Sequence, residues 1–209
     1  MLPADYYPVT ISINETPEIR DVVQRCARRF ELLNHHPVHI ITSSAVARNE
    51  RASKLEHPAL LKTLIWDFVP DWVDTILYYD RNVLPARPIE YSPEHEFAAV
   101  SDYDEACESA RKKWPLFTET GFYFHPGVFI AHRETWEYFE QAYSMRGLDH
   151  QVLLNLVMQT QAIVSRLGKK WNFGISVEDE HTEEPAMVNF RGMPRPWPAM
   201  RFLLDRLGN

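Results

Sequence analysis

Only two cysteines, Cys26 and Cys107, occur in the 209 residues, too few for a disulfide scaffold or a four-cysteine zinc site. Both read as reduced thiols, with Cys26 on the apolar stripe of a helix. Glycine is scarce, seven in all, and none sits in a Gly-rich phosphate loop. No Gly-x-Ser-x-Gly pattern marks a hydrolase nucleophile. No apolar run is long enough to cross a bilayer, and the opening Met1-Leu-Pro-Ala-Asp-Tyr-Tyr7 has no basic stretch followed by an apolar one. A soluble, cytoplasmic protein with no membrane segment is expected. Basic residues are outnumbered 22 to 29, a net charge of −7, so the surface as a whole repels polyanions and generic nucleic-acid binding is disfavoured.

Apolar residues, at 45% of the chain and 12% aromatic, suffice to bury a core and exclude a disordered, collagenous or coiled-coil chain. The length fits one compact domain. Val9 to Ile13 is β-branched, and Thr16-Pro17-Glu18 then reads as a helix start with Thr at the N-cap. Ile19, Val22, Val23, Cys26 and Phe30 recur at spacings of three and four, one buried helical face. Val38–Thr42 and Thr75–Tyr79 read as further strands on either side of a polar, mostly helical stretch from Ser43 to Trp66. Alternating strand and helix predicts an α/β class with a mixed, mostly parallel central sheet flanked by helices.

Pro85, Pro88 and Pro93 break up the region after Asp80, before a strand over Phe97–Val100. A strand over Gly121–Ala131 follows, then a helix from Arg133 bearing Trp136, Phe139 and Tyr143, and another from Asp149 bearing Val152, Leu153, Leu156 and Val157. Both helices are expected to be well buried. Glu178–Glu184 reads as a solvated acidic loop before a strand over Ala186–Asn189, and the tail from Pro198 as a short helix.

Chemistry concentrates where the strand Ile76-Leu-Tyr-Tyr-Asp80 ends in an acid followed by Arg81 and Asn82. In an open parallel sheet ligands bind beyond the carboxyl ends of the strands, so Asp80 and Asn82 can face a phosphate-bound cation, although a strand-end turn also favours Asp and Asn. As a ligand-facing carboxylate Asp80 is expected to contribute little to the core. His35, His36 and His39 flank a turn and enter a strand whose alternation splits their directions, which argues against a metal cluster. Arg191, Arg195, Arg201 and Arg206 concentrate positive charge in the tail, suiting a diphosphate.

Three more segments sharpen this: Tyr123-Phe-His-Pro-Gly-Val-Phe-Ile130 with Trp136, Asp149-His-Gln-Val-Leu-Leu-Asn155, and Val188-Asn-Phe-Arg-Gly-Met-Pro-Arg-Pro-Trp197. With Lys62 and the Asp80 strand end they resemble, in order, the retaining, family 8-like glycosyltransferases of the glycogenin and bacterial galactosyltransferase type. That family orders a lysine helix, an Asp-x-Asp strand end, a Phe-Asn-x-Gly-Val strand, an Asp-Gln-x-x-Leu-Asn helix and a closing His-Phe-x-Gly-x-x-Lys-Pro-Trp segment. The resemblance implies a single GT-A-like domain over 1–209, with a nucleotide-binding half of about 1–100 and an acceptor and catalytic half of about 101–209. It implies sugar transfer, hexosyl or pentosyl, from a nucleotide-diphosphate donor, a UDP-sugar, with retention and with Mn²⁺ or Mg²⁺ as cofactor.

Position by position, the resemblance places Asp80, Asn82 and Asn189 at the metal, the second aspartate and the histidine of the family being carboxamides here. Fewer anionic ligands mean weaker metal binding. Ser12, Asn14, Lys62, Asp80, Arg81, Gly192, Arg195 and Trp197 fall in the donor-binding set, with Arg195 in place of the family's diphosphate lysine and able to offer a two-pronged donor. His125 stands for the family's asparagine, and His150-Gln151 stand for Asp-Gln, with Asp149 one residue early; these four form the implied catalytic group. Asp149 equally suits the N-cap of its helix, and Arg195 a surface pairing with the acidic loop. The acceptor is open: a glycan, a protein or a modified nucleic acid. Two rivals stand beside this reading. One is a noncatalytic nucleotide-sugar binding protein, motivated by the missing carboxylate and histidine. The other is a nucleotidyltransferase, which calls for a basic, Gly-rich loop after the first strand, where the chain has Asn14-Glu-Thr-Pro-Glu18.

Overall fold

A computed structural model of the chain describes residues 6–90, 96–102, 104–117, 122–145, 147–162, 164–171, 173–174, 184–191 and 193–208. Among them a central sheet of six strands has the order β2-β1-β3-β6-β5-β7, where β1 is Tyr6–Ser12, β2 His39–Thr42, β3 Thr75–Tyr79, β5 Phe97–Ser101, β6 Phe124–His132 and β7 Val164–Leu167. β1 runs parallel to β2 and β3, and β5 parallel to β7, while β6 is antiparallel to both its neighbours. The expected mixed, mostly parallel sheet is what forms. A small second sheet pairs β4 (Val83–Pro85) with β9 (Met187–Asn189) and β9 with β8 (Phe173–Gly174).

Alternation along the strands divides the core between two faces, as the period of two requires. Ile76 and Tyr78 of β3, Phe97 and Ala99 of β5, and Phe129 and Ala131 of β6 enter one cluster; Leu77, Tyr79, Ala98, Val100, Val128 and Ile130 enter the other. Helix α1 (Pro17–Asn34) covers the second face, Phe30 stacking on Tyr79 with ring centroids 5.6 Å apart. It starts as the sequence indicates, Thr16 Oγ1 accepting from the Ile19 amide, and it ends at His35 in the left-handed region. Cys26 is buried on it, and burial pushes its thiol up to about 12, so it is inert.

The other face is covered by α4 (Trp136–Ser144), α5 (His150–Gln161) and a kinked 3-10 segment, Pro58–Phe68. Trp136 departs from expectation: it is 43% exposed, because Phe139 and Ala142 take the buried stripe. The Ser43–Trp66 stretch is a short α2 (Ser43–Arg48) followed by 3-10 turns rather than one long helix. α3 (Asp104–Lys113) follows β5, and α6 (Trp197–Arg206) closes against α1. Gly121 and most of the acidic loop, residues 178–183, lie outside the described residues.

Candidate active site

β3 runs into the site and β6 runs out of it, so the end of one strand abuts the start of the other. Tyr79 pairs with Val128, and one residue on the Asp80 amide donates to the Gly127 carbonyl at 2.8 Å. This places Asp80 beside His125-Pro-Gly127. Lys62, from the kinked 3-10 segment, reaches across: its Nζ lies 2.7 Å from Asp80 Oδ1 and donates to the Pro126 carbonyl at 2.9 Å. Tyr78 Oη donates to the same Asp80 oxygen at 2.6 Å. Burial alone raises the Asp80 carboxyl, but the Lys62 ammonium and the Tyr78 hydroxyl outweigh it and hold the group below the usual range, ionised. Lys62 is 8% exposed and Asp80 22%. Asp80 is therefore the partner of a buried cation, which corrects the expectation that it contributes little to the fold.

Gly127 has no room for a side chain. A Cβ there would sit 2.6 Å from two atoms of the His125 ring and 3.0 Å from Asn189 Nδ2. The ring folds over it because the Gly127 amide donates to His125 Nδ1 at 3.1 Å, which leaves Nε2 to carry the proton of the neutral imidazole. Burial and the Arg191 and Lys62 cations push His125 down to about 4, against the opposing pull of Asp80 and Asp102. β4 and β9 bring the two carboxamides together: Val83 pairs with Asn189, and Asn82 Nδ2 donates to Asn189 Oδ1 at 3.2 Å.

At the end of β5, Asp102 closes the other side, its amide donating to the Tyr123 carbonyl at 2.8 Å. Its carboxylate is held by two long-range partners. Arg191 Nη1 pairs with Oδ1, and Gln151 Nε2 donates to Oδ2 at 2.6 Å. Gln151 Nε2 also reaches the Phe124 carbonyl at 3.2 Å, so the amide nitrogen is committed and Oε1 is left for the cleft. Below it Asn155, fully buried, accepts from the Phe124 amide and donates to the Phe124 carbonyl, both at 2.8 Å, pinning α5 to the start of β6. A cleft of about 510 Å³ opens here, lined by Asp102, Tyr123, His125, Gln151, Trp114 and Arg191 among others.

The implied catalytic group is thus only partly gathered. His125 and Gln151 line the cleft. Asp149 is the N-cap of α5, its carboxylate accepting from the Gln151 amide at 2.8 Å with the side chain 63% exposed. His150 is mostly buried, and burial lowers its pKa; its Nδ1 lies 3.4 Å from Asp149 Oδ2 and has no hydrogen-bond partner among the described residues. Asp102 was not singled out from sequence. Its position after the β5 strand is the signal that could have found it, being the same strand-end position that drew attention to Asp80.

Of the implied donor set, Arg81 and Trp197 meet, the guanidinium 5.5 Å from the ring centroid, and Arg81 Nη1 donates to the Ile13 carbonyl at 2.7 Å. The end of β1 is therefore tied to the Asp80 turn and to the start of α6. Asn14 sits in the left-handed region, φ 54°, with its amide donating to Ser43 Oγ at 2.9 Å. Ser12 is fully buried and its hydroxyl has no hydrogen-bond partner among the described residues. Arg195 is exposed and makes no ion pair among the described residues, whereas Glu184 of the acidic loop pairs with Arg87. Gly192 lies outside the described residues. Arg201 and Arg206 belong to α6 itself, facing Asp21 and Phe202.

A divalent ion at Asp80, Asn82 and Asn189 would need oxygens with charge to spare. The only carboxylate of the three already receives an ammonium and a hydroxyl on Oδ1, and Asn189 Oδ1 is taken by Asn82. Among the described residues no group of three or more His, Cys, Asp and Glu is placed to hold a metal. This donor set does not fit a hard divalent cation.

No protein-family model matches the chain, and no curated protein sequence matches it. Solved structures do. The galactosyltransferase LgtC, determined with donor and acceptor sugar analogues, superposes with a TM-score of 0.62 at 12% identity, over 97% of this chain and 96% of that one. A glycosyltransferase involved in glycosylating the major capsid of PBCV-1 gives 0.61 at 13% identity, over 94% and 99%. Mouse xyloside xylosyltransferase 1, in its apo form, gives 0.56 at 12%, over 91% and 99%. The fold is the GT-A α/β fold of these glycosyltransferases.

Proposed function

We propose that this chain is a glycosyltransferase that moves a sugar from a nucleotide-diphosphate donor, a UDP-sugar, to an acceptor hydroxyl, with retention of configuration. One observation carries the reading. Five segments far apart in sequence bring Lys62, Asp80, His125, Gln151 and Arg191 to the strand ends of a fold shared with glycosyltransferases over nearly its whole length. The UDP-sugar and the retention rest on the resemblance of the same segments to the glycogenin and galactosyltransferase type.

The chemistry asked of such a site is leaving-group stabilisation. Breaking the bond from the anomeric carbon to the diphosphate concentrates negative charge on phosphate oxygens, and fixed cations in a partly dry site lower that barrier. Lys62 and Arg81 supply cations at the Asp80 turn, and Arg191 another at Asp102 on the cleft. Gln151, its nitrogen tied to Asp102, presents Oε1 to the cleft in one orientation. The neutral His125 ring adds a donor and no charge. The acceptor would enter the 510 Å³ cleft, which Tyr123 and Trp114 help to line.

A second reading, nucleotide-sugar binding without transfer, draws on Asp149, whose carboxylate caps α5. Calorimetric titration with UDP and a panel of UDP-sugars tests what the two readings share. Binding of UDP and at least one UDP-sugar at a single site is expected, and absence of binding by every nucleotide diphosphate and nucleotide sugar at millimolar concentration would remove both.

A further inference from the structure

The site is built like a diphosphate site in which the cation has been made part of the protein. Asp80, the residue placed to ligate an ion, is instead neutralised from within: Lys62 lies 2.7 Å away and Tyr78 donates at 2.6 Å, both on Oδ1. The Lys62 ammonium is also tied to the Pro126 carbonyl and stands 5.2 Å from the centroid of the Tyr78 ring, so it is fixed and not a mobile surface charge. A divalent ion arriving at Asp80 would meet that ammonium at close range, a repulsion that low local polarity amplifies.

The amides do not make up the difference. Asn82 and Asn189 are hydrogen-bonded to each other, so an ion would have to break that contact and would gain only neutral oxygens. Asn189 Nδ2 already lies beside the His125 ring, 3.0 Å from where a Cβ on Gly127 would stand.

Positive charge is nevertheless in excess. Lys62 and Arg191 both act on His125 from close by, as do Asp80 and Asp102. Arg81 leans from the Asp80 turn to the end of β1 and carries no carboxylate partner among the described residues. Lys62 and Arg191 are paired with Asp80 and Asp102, and Arg81 is left over. The surplus matches an anionic ligand, and guanidinium groups offer phosphate oxygens directional donors that a metal would otherwise replace.

We propose that the site holds its nucleoside diphosphate through Lys62, Arg81 and Arg191 and works without a divalent cation. This rests on the donor reading above, and it changes what the site needs: the charge of the leaving diphosphate is met by side chains already in place.

The test compares UDP binding to the full chain by calorimetry in EDTA and in millimolar Mn²⁺, with Mn²⁺ binding followed separately by electron paramagnetic resonance. The expected result is a UDP Kd that agrees within about twofold between the two media and no loss of the free Mn²⁺ signal on adding protein. Arg81→Gln should then weaken UDP by about fivefold or more in both media alike. Arg191→Lys, which keeps the charge facing Asp102 and so protects the fold, should weaken it less than Arg81→Gln. Tightening of UDP by about tenfold or more in Mn²⁺, lost again in Asp80→Asn, would overturn the proposal while leaving the donor reading intact. Failure of UDP to bind in either medium would instead overturn the donor reading and the proposal with it.

Discussion

Gln151 and Asp102 meet at 2.6 Å across 49 residues of sequence, and that contact decides which end of the Gln151 amide faces the cleft. Asp102 Oδ1 is taken by Arg191, so one carboxylate ties α5 and the segment after β9 to the end of β5. Asp102→Ala would take this acid from Arg191, 29% exposed, and leave Gln151 Nε2 only its longer bond to the Phe124 carbonyl. A stability loss of about 2–3 kcal/mol is expected, below the full cost of a buried pair because Arg191 keeps some water. Asp102→Asn should lose less stability yet still slow transfer by about tenfold, since its amide oxygen can hold only one of the two partners. Urea denaturation and turnover of the two variants check this; full activity in Asp102→Ala would show that the anchor is dispensable.

Removing Asp80 is expected to be costly, and for a specific reason. Asp80→Ala strands the buried Lys62 ammonium and the Tyr78 hydroxyl, with a loss of about 3 kcal/mol. The double change Asp80→Ala with Lys62→Met removes both charges and should recover a large part of that loss. Equal instability of the single and double variants in urea would mean that the pairing does not account for the loss.

Gly127→Ala forces a methyl group to within 2.6 Å of the His125 ring. Overpacking here should cost about 1–3 kcal/mol and displace His125, seen as a changed imidazole resonance in NMR. An unshifted resonance and unchanged stability would show that the ring has room to move.

Acid should weaken the fold through the buried His125. His125 has a folded value of about 4, below the 6.5 of an exposed imidazole. The unfolded chain therefore takes up the proton first as pH falls, and stability present above pH 6.5 is lost progressively down to about 4. Between pH 7 and pH 5 the loss is about 2 kcal/mol. Asp80, lowered from its ordinary 3.8, contributes only below that range, and His39 and His150, lowered as well, contribute with the same sign as His125. Denaturation at the two pH values should show a loss in wild type about 2 kcal/mol larger than in His125→Gln, and equal losses would exclude a buried neutral His125 as the source.

Local pattern carried the fold further than it carried the site. Ile76 and Tyr78 against Leu77 and Tyr79 could be assigned to a strand because alternation is written in adjacent letters, and the α1 stripe of Val22, Cys26 and Phe30 was legible for the same reason. Lys62, Asp80 and Gln151 were found through motif order, which sets neighbourhood but not partners. That Asp80 spends its charge on Lys62, and that Asp102 joins Gln151 to Arg191, depends on contacts spanning 18, 49 and 89 residues, which no local spacing encodes. Trp136 shows the converse: its helical spacing predicts core, and the helix turns Phe139 inward instead.

Turnover of a nucleotide sugar tests the central claim most directly. Incubating the protein with a panel of UDP-sugars and mixed sugar acceptors, and following UDP release and product mass, should show at least one donor consumed with its sugar transferred to a hydroxyl. Gln151→Ala should lower that rate by about a hundredfold while leaving UDP affinity within a few-fold, because Gln151 lines the cleft and is not itself one of the cations assigned to the diphosphate. Tight UDP-sugar binding with neither transfer nor release of UDP from any donor, in wild type as in Gln151→Ala, would contradict a glycosyltransferase and leave a binding protein.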